Sequence, residues 1–482
     1  MLYLLLACTT PTDPGPGDKY VPPDLTERLG PDDVRAGQVV DTASLVGGIS
    51  AEGKVGDFVL YNDRAKFVFQ APGESSYYVE YGGGLIDADL VRDEGVPGRD
   101  ILDEVHPMIG LGRLVDASSV TVVSDGADGE AVIRVEGVAA PMQLVTGALE
   151  SEAVVPDMDL RIRTDFALAP GAYALRATTT VWNDEDEAVT VEIGDVALIA
   201  MDVAEGFRPG TGRGDPSEAP ADWLGAMSNG NEIALAITAD EGQIASGTVG
   251  RILAEVAPAI AGFGPSVTIE PGASSAWSRW IGVAPDLATL TGDQLVRSGA
   301  PSKAVSGTVT AGGPVAGARV HVLDAAGAPL TVAVTDAAGA WSATVPEGAA
   351  SYVASGRGTS LQVDLPAGAG WVSPYEPDLA ATLATLQSGA AGPAFAEGYG
   401  VSAASAATDL TLTAPGTLAV TVADGGPAVV WAYFVGGDPV VADERLVPGE
   451  VISLGTLPGC CGLELDRFVE PGDEITLELD GV

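Results

Sequence analysis

The sequence predicts an all-β protein assembled from β-sandwiches, and three observations support this fold class. Short runs of Val, Leu, Ile and Thr recur along the chain and are bounded by Gly, Pro, Asp and Asn, as strands bounded by turns are. Several runs alternate apolar and polar residues, the pattern of a strand with one buried face. The chain has 482 residues, enough for two to four domains with cores of their own.

The chain opens with MLYLLLACTT, a short apolar run that ends at Cys8. Seven residues cannot span a bilayer, which takes about 20 apolar residues in a helix. The stretch LLAC resembles the lipobox of bacterial lipoproteins, in which the cysteine is acylated and becomes the new N-terminus. The resemblance implies a signal peptide over residues 1–8, lipidation of Cys8, and a location in the bacterial cell envelope, either anchored to the outer membrane or extracellular. Residues 9–34 are rich in Pro, Gly and polar residues and are expected to form a disordered tether.

Residues 35–285 are predicted to form one large β-sandwich. The segment KVGDFVLYNDRAKFVFQAPG contains two strand-like runs, Asp57–Tyr61 and Lys66–Gln70, joined by a turn at NDRA. Further along, ALRATTTVWN and AVTVEIGDVALI alternate with period two on either side of NDEDE. We expect the same strand, turn and strand arrangement there, with Val181, Val189, Val191 and Ile193 facing a core.

This second block and the later SVTIEPGASSAWSRWIGVA resemble the strand pattern of aldose mutarotases and related carbohydrate-active β-supersandwiches. The resemblance covers about residues 40–285 and implies the scaffold alone. Those epimerases use a histidine acid and a glutamate base, and this chain has only two histidines in all.

A short helix is expected at PDLATLTGDQLVRSG, within a linker over residues 286–302. Residues 303–360 then carry VSGTVT, GGPVAGARVHVLD and AVTDAAGAWSATVPEG, which resemble the carboxypeptidase regulatory-like domain, a small transthyretin-like β-sandwich. We expect the last of these segments to be a hairpin. Alternation directs Val320, Val322, Val332 and Val334 inward and His321 outward to the surface.

Residues 361–407 form a second linker in this prediction, and residues 408–482 form another small sandwich, transthyretin-like or Ig-like. In the latter, PGTLAVTVADGGPAVVWAYF resembles a degenerate copy of the preceding sandwich. Cys460 and Cys461 are adjacent, and three alternatives stay open for them: a vicinal disulfide, metal binding, or small buried thiols in a turn.

The charge of the chain excludes one class of partner. Its formal net charge is −44, and only four of its residues are lysines. A field of that sign repels phosphate backbones, so nucleic acid is not expected as a partner. The acidic loops SDGADGEA and NDEDE leave room for weak Ca²⁺ binding, although neither has the twelve-residue spacing of a calcium loop. No other cofactor is expected.

Catalytic motifs are missing from the sequence. It contains no G-x-S-x-G elbow, no P-loop and no zinc-hydrolase pattern. His106 is the one histidine with acidic neighbours, since it follows Asp100, Asp103 and Glu104. We therefore predict a protein that is not an enzyme.

Candidate ligand-binding residues are grouped aromatic side chains, which stack on sugar rings, and a few polar residues near His106. Asp87 and Asp89 alternate on one strand face, so both point the same way. The set is Tyr77, Tyr78, Tyr81, Asp87, Asp89, His106, Trp277 and Trp280.

Three functions follow as hypotheses. The first is a non-catalytic envelope lipoprotein that acts as a binding or scaffold protein, with carbohydrate as its ligand; its partners are the membrane through Cys8, and glycans or an envelope protein. The alternative is the accessory or degenerate portion of a carbohydrate-active or metal-dependent hydrolase, with a cleft around Asp87, Asp89, Asp103 and His106. The third is adhesion through Ca²⁺-stiffened modules.

Overall fold

The computed structural model describes residues 23–48, 51–75, 79–110, 112–142, 158–199, 204–213, 220–228, 230–252, 257–310 and 314–355, and several short strands beyond them. Nearly every regular element is a β-strand, which confirms the predicted all-β class. Within this part of the chain, no helix is both long and apolar enough to cross a bilayer. Cys8, Tyr77, Tyr78, Cys460 and Cys461 lie outside the described residues.

Nineteen described strands precede the one α-helix of this part of the chain, and a 3-10 turn at Thr42–Ser44 follows the first of them. They are β1 (Val34–Gln38), β2 (Phe58–Asn62), β3 (Ala65–Phe69), β4 (Leu85–Leu90), β5 (Leu102–Ile109), β6 (Arg113–Asp125), β7 (Ala131–Pro141), β8 (Leu160–Leu168), β9 (Ala174–Asn183), β10 (Val189–Val191), β11 (Ile193–Ile199), β12 (Ala204–Arg208), β13 (Gly212–Arg213), β14 (Trp223–Ser228), β15 (Ala234–Ala239), β16 (Ser246–Ile252), β17 (Ala257–Phe263), β18 (Val267–Ile269) and β19 (Ser274–Ala284).

Antiparallel pairing arranges all of these strands except β10 and β18 in two layers, whereas β10 and β18 pair with each other. The first layer runs β1-β2-β3-β4-β5-β11-β17-β16, and the second runs β6-β7-β8-β9-β19-β15-β14-β12-β13. A short bridge between β5 and β6 joins them at one edge. The layers face each other, since β2 lies against β7 and β8 and β4 lies against β19. This is a β-sandwich with a single large apolar core.

The core between the layers is built from alternate residues of the facing strands. Phe67, Phe69 and Leu85 of the first layer and Phe166 and Leu175 of the second are buried in one cluster. The rings of Phe69 and Phe166 meet across the layers, with centroids 4.6 Å apart. Strand alternation then leaves every second residue of the second layer on its outer face.

The predicted hairpin at NDRA is confirmed as β2 and β3, which pair directly. Asn62 holds the turn, because its Oδ1 accepts hydrogen bonds from the backbone N–H groups of Arg64 and Ala65. Its Nδ2 donates to the carbonyl oxygens of Ala169 and Ala172. One buried amide therefore fixes the turn and also ties it to the connection between β8 and β9.

The strand, turn and strand arrangement expected around NDEDE is wrong in its pairing. β9 pairs with β8 and β19, whereas β11 pairs with β5 and β17 in the other layer. Asn183 redirects the chain, since its Nδ2 donates to the carbonyls of Glu187 and Ile269. The inward-facing residues are as predicted, with Val181, Val191 and Ile193 buried and Val189 packed beside them, all in one cluster.

A buried ion pair spans the two layers. The guanidinium of Arg279 on β19 donates to both carboxylate oxygens of Asp195 on β11, and both side chains are fully buried. The Nη1 group of Arg279 donates to Thr179 Oγ1 at 2.5 Å, and that hydroxyl lies 2.8 Å from the hydroxyl of Thr164. The polar groups of the core therefore satisfy one another as a connected network.

The expected helix is present as α1 (Leu287–Ser298), and its leucines are buried. Asp286 caps its N-terminus through the N–H of Thr289, and Gly299 ends it in the left-handed conformation, with φ of 65°. Leu287 and Leu290 are buried in a cluster with Phe207 and Trp223, which precede the helix in the chain, and with Val332, which follows it.

The strands after α1 form a second, smaller sandwich of two sheets. They are β20 (Ser302–Thr310), β21 (Arg319–Asp324), β22 (Pro329–Val334), β23 (Ala340–Pro346), β24 (Ala349–Ser355), β25 (Gln362–Asp364) and β26 (Gly370–Trp371). One sheet runs β23-β20-β25 and the other runs β22-β21-β24-β26.

The hairpin expected at AVTDAAGAWSATVPEG is wrong, because β22 and β23 belong to different sheets. The turn between them crosses from one sheet to the other. Asp336 Oδ1 accepts the N–H groups of Ala338 and Ala340 there. Trp341 from β23 then packs with Val320 and Val322 from β21 in the shared core.

The small sandwich is docked on the large one through a face that we expected to be solvated. Val332 and Val334 pack beside α1 instead of in the small core, and His321 is 2% exposed, so its predicted surface position is wrong. The reason is the contact between sandwiches: Arg319 Nε donates to Asn231 Oδ1, and Asn231 Nδ2 donates to the carbonyl of Gly317.

Beyond residue 408 the structure describes short strands only: β27 (Thr411–Leu412), β28 (Gly416–Thr421), β29 (Trp431–Phe434), β30 (Asp438–Val441), β31 (Glu444–Leu446), β32 (Val451–Ser453) and β33 (Glu474–Leu479). β28 pairs with β33 and β29 with β32. The division of the chain at residues 285, 302, 360 and 407 stays a prediction.

Replacing Arg279 by Met tests the ion pair between the layers. The variant leaves the Asp195 carboxylate buried without its cation, and we expect the free energy of unfolding to fall by about 3 to 5 kcal/mol. Urea unfolding followed by tryptophan fluorescence measures this loss. The double variant Arg279→Met, Asp195→Leu removes both charges and should recover much of it. An Arg279→Met protein as stable as the parent would contradict this role.

Candidate functional site

Glu104 and His106 form a buried pair on the outer face of β5. Glu104 Oε2 lies 3.0 Å from His106 Nε2, both side chains are 1% exposed, and Glu104 Oε1 accepts the N–H of Val79. Gly84 makes room for the ring, since a Cβ at that position would lie 2.1 Å from His106 Nε2. The imidazole is therefore enclosed by protein atoms, which does not suit a group that must reach a substrate.

Asp87, Asp89 and Asp100 form a buried acidic cluster beside this pair. The two oxygens of Asp87 accept the N–H groups of Glu52 and Gly53, at 2.7 and 3.0 Å. Asp89 makes a bidentate ion pair with Arg92. These bonds attach the loop at Glu52 and Gly53 and the loop at Arg92 to the sheet, so they have a structural role.

Asp100 is the least satisfied member of this cluster. Its Oδ1 accepts the N–H groups of Ala88 and Leu102, whereas its Oδ2 has no hydrogen-bond partner in the described part of the chain. Burial, and then the charges of Asp87 and Asp89, raise the pKa of Asp100 well above its ordinary value. Burial also raises the pKa of Asp87 to about 6.

Asp103 does not join His106 in a cleft. It lies at an irregularity in the register of β5 with β11, between Leu102 and Glu104, and its side chain is 5% exposed. Burial, and then the nearby Glu104, raise its pKa to about 6. Among the described residues, no three His, Cys, Asp or Glu side chains are grouped so that they could hold a metal ion.

Two of the aromatic candidates are packed rather than displayed. Tyr81 donates its hydroxyl to the carbonyl of Pro141, and burial raises its pKa to about 12. Trp277 lies against the core, and its ring is so close to Gly264 that a Cβ there would lie 2.6 Å from Nε1. Both side chains are partly exposed, but these contacts cover part of each ring.

Trp280 lies on the outer face of the second layer and is partly exposed. Its Nε1 donates to Asp240 Oδ1 at 2.7 Å, and the guanidinium of Arg297 lies 4.5 Å from its ring centroid. The Asp240 carboxylate also accepts from Arg176, which is directly opposite Trp280 in the sheet register. This corner of the face therefore holds one aromatic ring among three charged groups.

Trp182 lies on the same outer face and was missed by the sequence analysis. It is partly exposed, and the guanidinium groups of Arg161 and Arg163 lie 5.4 and 5.2 Å from its ring centroid. The signal was present in the strand sequences LRIRTDFAL and ALRATTTVWN, whose alternation directs the arginines and Trp182 outward together.

Small side chains separate the two tryptophans. We call this surface the Arg-Trp face; it comprises Arg134, Arg161, Arg163, Arg176, Trp182 and Trp280 with the small residues Thr178, Thr180, Ala276 and Ser278 between them. The hydroxyls of Thr178 and Ser278 lie 2.9 Å apart across β9 and β19. The residues along its centre are small and are exposed or partly exposed, in contrast to the enclosed Glu104 and His106.

Comparison with known proteins gives distant structural likenesses. No protein-family model matches the chain, and no curated protein matches it. Solved structures that resemble it include a TPR-domain containing protein from Parabacteroides distasonis, with 9% identity and a TM-score of 0.31 over 48% of this chain. This chain spans about half of that protein, 47% of its length.

Galactose mutarotase-like proteins are also among the similar structures. One from Clostridium acetobutylicum has 8% identity and a TM-score of 0.31, over 52% of this chain and 99% of that one. One from Lactobacillus casei has 10% identity and a TM-score of 0.30, over 48% of this chain and 100% of that one. Similarity this distant carries no inference about the activity of this chain.

The buried acids predict an inverse dependence of stability on pH. Asp87, Asp100 and Asp103 keep protons in the folded chain at pH values where the unfolded chain has released them, because their folded-state pKa values are raised. The contribution of Asp87 and Asp103 to the free energy of unfolding therefore falls as the pH rises from about 4 to about 6, and that of Asp100 also falls as the pH rises above about 4. Asp100→Asn should reduce that fall, since Asn is neutral and keeps the oxygen that accepts both N–H groups.

The measurement is the thermal midpoint of each variant from pH 4 to pH 8. Asp87→Asn is the comparison variant: it also removes one of the titrating acids, but it should lose stability at every pH, because both oxygens of Asp87 accept N–H groups and an amide has only one oxygen. A large loss for Asp100→Asn at pH 7 would show that the ionised form of Asp100 is the one that the fold requires.

Proposed function

We propose that this protein is a lipid-anchored protein of the bacterial cell envelope that binds carbohydrate without transforming it, and that the Arg-Trp face is its binding surface. The observation that carries the proposal is the presence of two partly exposed tryptophans, Trp182 and Trp280, on one open sheet face. Aromatic rings present an apolar surface to sugar rings while their edges keep polar contacts.

The spacing of the tryptophans suits an extended ligand. Trp182 is opposite Ser274 and Trp280 is opposite Arg176, so their positions are six residues apart along β9. At about 3.3 Å per residue this is about 20 Å along the strand. An oligosaccharide chain laid along β9 would meet a ring at each end.

The residues between the rings support the same function. Thr178, Thr180 and Ser278 present hydroxyl groups, and Ala276 leaves the surface low. Hydroxyl groups donate and accept hydrogen bonds, as sugar hydroxyls do. The small side chains at the centre leave space for a ligand, and the rings of Trp182 and Trp280 would give that ligand an apolar contact at each end.

The hydrolase hypothesis receives less support. A general acid or base must lie within hydrogen-bond reach of the group it serves. His106 is 1% exposed and bonds to Glu104, whereas Asp87 and Asp89 are occupied by backbone groups and by Arg92. These residues hold the sheet and its loops together.

The binding proposal predicts the effect of removing either ring. Trp182→Ala and Trp280→Ala should each weaken binding to a recognised polysaccharide by about tenfold, because buried aromatic contacts dominate such interfaces. Affinity electrophoresis of the full chain through gels that contain single polysaccharides measures the change. Val40→Ala is the matched control, since Val40 is 69% exposed and remote from this face. Unchanged retardation of both tryptophan variants would refute the assignment of the face.

The anchor is tested separately. Radiolabelled palmitate supplied to a bacterial host that expresses the full chain should label the protein, and Cys8→Ser should abolish both the label and recovery in the membrane fraction. Two acyl signals are needed for stable attachment, because each buried methylene contributes only about 0.8 kcal/mol. Equal labelling of parent and variant would exclude Cys8 as the anchor.

A further inference from the structure

We infer that the ligand of the Arg-Trp face is an acidic polysaccharide whose sugar rings carry carboxylate groups, and that Arg163 is the residue that binds the carboxylate. This inference rests on the carbohydrate binding proposed above and names the class of carbohydrate.

The charge of the face differs from that of the rest of the molecule. The chain has 67 acidic residues and 23 basic ones. The basic residues on the Arg-Trp face and its rim are Arg134, Arg161, Arg163, Arg176 and Arg297. The carboxylates that oppose them or lie near them are those of Glu136, Asp159, Asp165, Asp184, Asp240 and Asp293. Charge on this surface is therefore nearly balanced, in contrast to the large acidic excess of the chain as a whole.

Most arginines of the face already have carboxylate partners. Arg134 makes a bidentate pair with Asp165, at 2.6 and 2.9 Å. Arg161 pairs with Asp184. In each of these pairs a carboxylate fixes the position of the guanidinium group. They show that a carboxylate can bind an arginine of this face through two parallel hydrogen bonds.

Arg163 is different. Its Nε lies 3.8 Å from Asp165 Oδ2, beyond hydrogen-bond distance, and Asp165 is already bonded to Arg134. Glu136 is directly opposite Arg163 in the sheet register. Within the described part of the chain no hydrogen bond engages its guanidinium, which is one-third exposed, at 33%. It lies beside the ring of Trp182 and directly opposite Thr180, next to the open centre of the face.

The neighbourhood of Arg163 matches the two parts of a uronate residue. Its free N–H groups can donate to the carboxylate in the bidentate manner of Arg134, and the ring of Trp182 offers an apolar contact to the sugar ring. The guanidinium already lies over the ring of Trp182, with its Cζ 5.2 Å from the ring centroid. A neutral sugar would leave Arg163 without a hydrogen-bonded carboxylate.

The test compares two polymers that differ only in charge. The full chain is measured at 0.15 M salt, where charges more than about 8 Å apart are largely screened. The probes are polygalacturonate and the same polymer with its carboxylates fully methyl-esterified, with dextran sulfate as a second anion. We expect binding to polygalacturonate, at least tenfold weaker binding to the ester, and no preference for dextran sulfate.

Variants then locate the carboxylate site. Arg163→Met keeps an apolar stem beside Trp182 but removes the charge, and we expect about a tenfold or greater loss for polygalacturonate and little change for the ester. Arg28→Met is the matched control, because it removes one positive charge from a remote exposed pair with Asp93. It should leave both affinities unchanged.

The outcomes separate this inference from the proposed function. Equal binding to polygalacturonate and its ester, or binding to neutral polysaccharides only, would overturn the acidic ligand and leave carbohydrate binding in place. Equal binding to dextran sulfate would replace carboxylate recognition with general anion binding. Equal losses for Arg163→Met and Arg28→Met would remove Arg163 from the site. Failure to bind any polysaccharide would overturn both proposals.

Discussion

The buried bond between Arg279 and Asp195 is the interaction on which the arrangement of the large sandwich depends. It joins β19 of one layer to β11 of the other in a part of the core where neither charge can reach water. Because neighbouring residues on a strand point to opposite faces, fixing Arg279 inward also fixes Trp280 outward. One contact in the core thus sets the register of the surface to which we assign binding.

Two asparagines and one helix complete this framework. The buried amides of Asn62 and Asn183 each form hydrogen bonds within a local turn and to a carbonyl that is distant in sequence. These bonds stabilise the connections at the ends of the sandwich. The helix α1 fills the angle between the two sandwiches with Leu287 and Leu290. The large and small sandwiches consequently share apolar surface, and Arg319 and Asn231 add polar contacts at the same junction.

Local patterns in the sequence predicted the local structure well. The alternation of Val181, Val191 and Ile193, the hairpin at NDRA and the helix with Asp286 and Gly299 at its ends all depend on neighbouring residues. Pairing between distant strands was not available from such patterns, which is why the partners of β11 and β23 were wrong. His321 was misplaced for a related reason: alternation shows which side a residue faces, but not that a second sandwich covers that side.

The candidate site could be predicted only in part from the sequence, for the same reason. Trp280 was named, whereas Trp182 and Arg163 gain significance only when β8 and β9 lie side by side.

The strict division between inward and outward residues on β8, β9 and β19 has a consequence for how this surface can change. Thr164 and Thr179 belong to the core network, whereas their immediate neighbours Arg163 and Thr180 meet solvent. Substitutions at the outward positions can therefore accumulate without loss of the scaffold. The chemistry of the outer face can therefore change over evolutionary time, or by design, while the inward residues keep the fold.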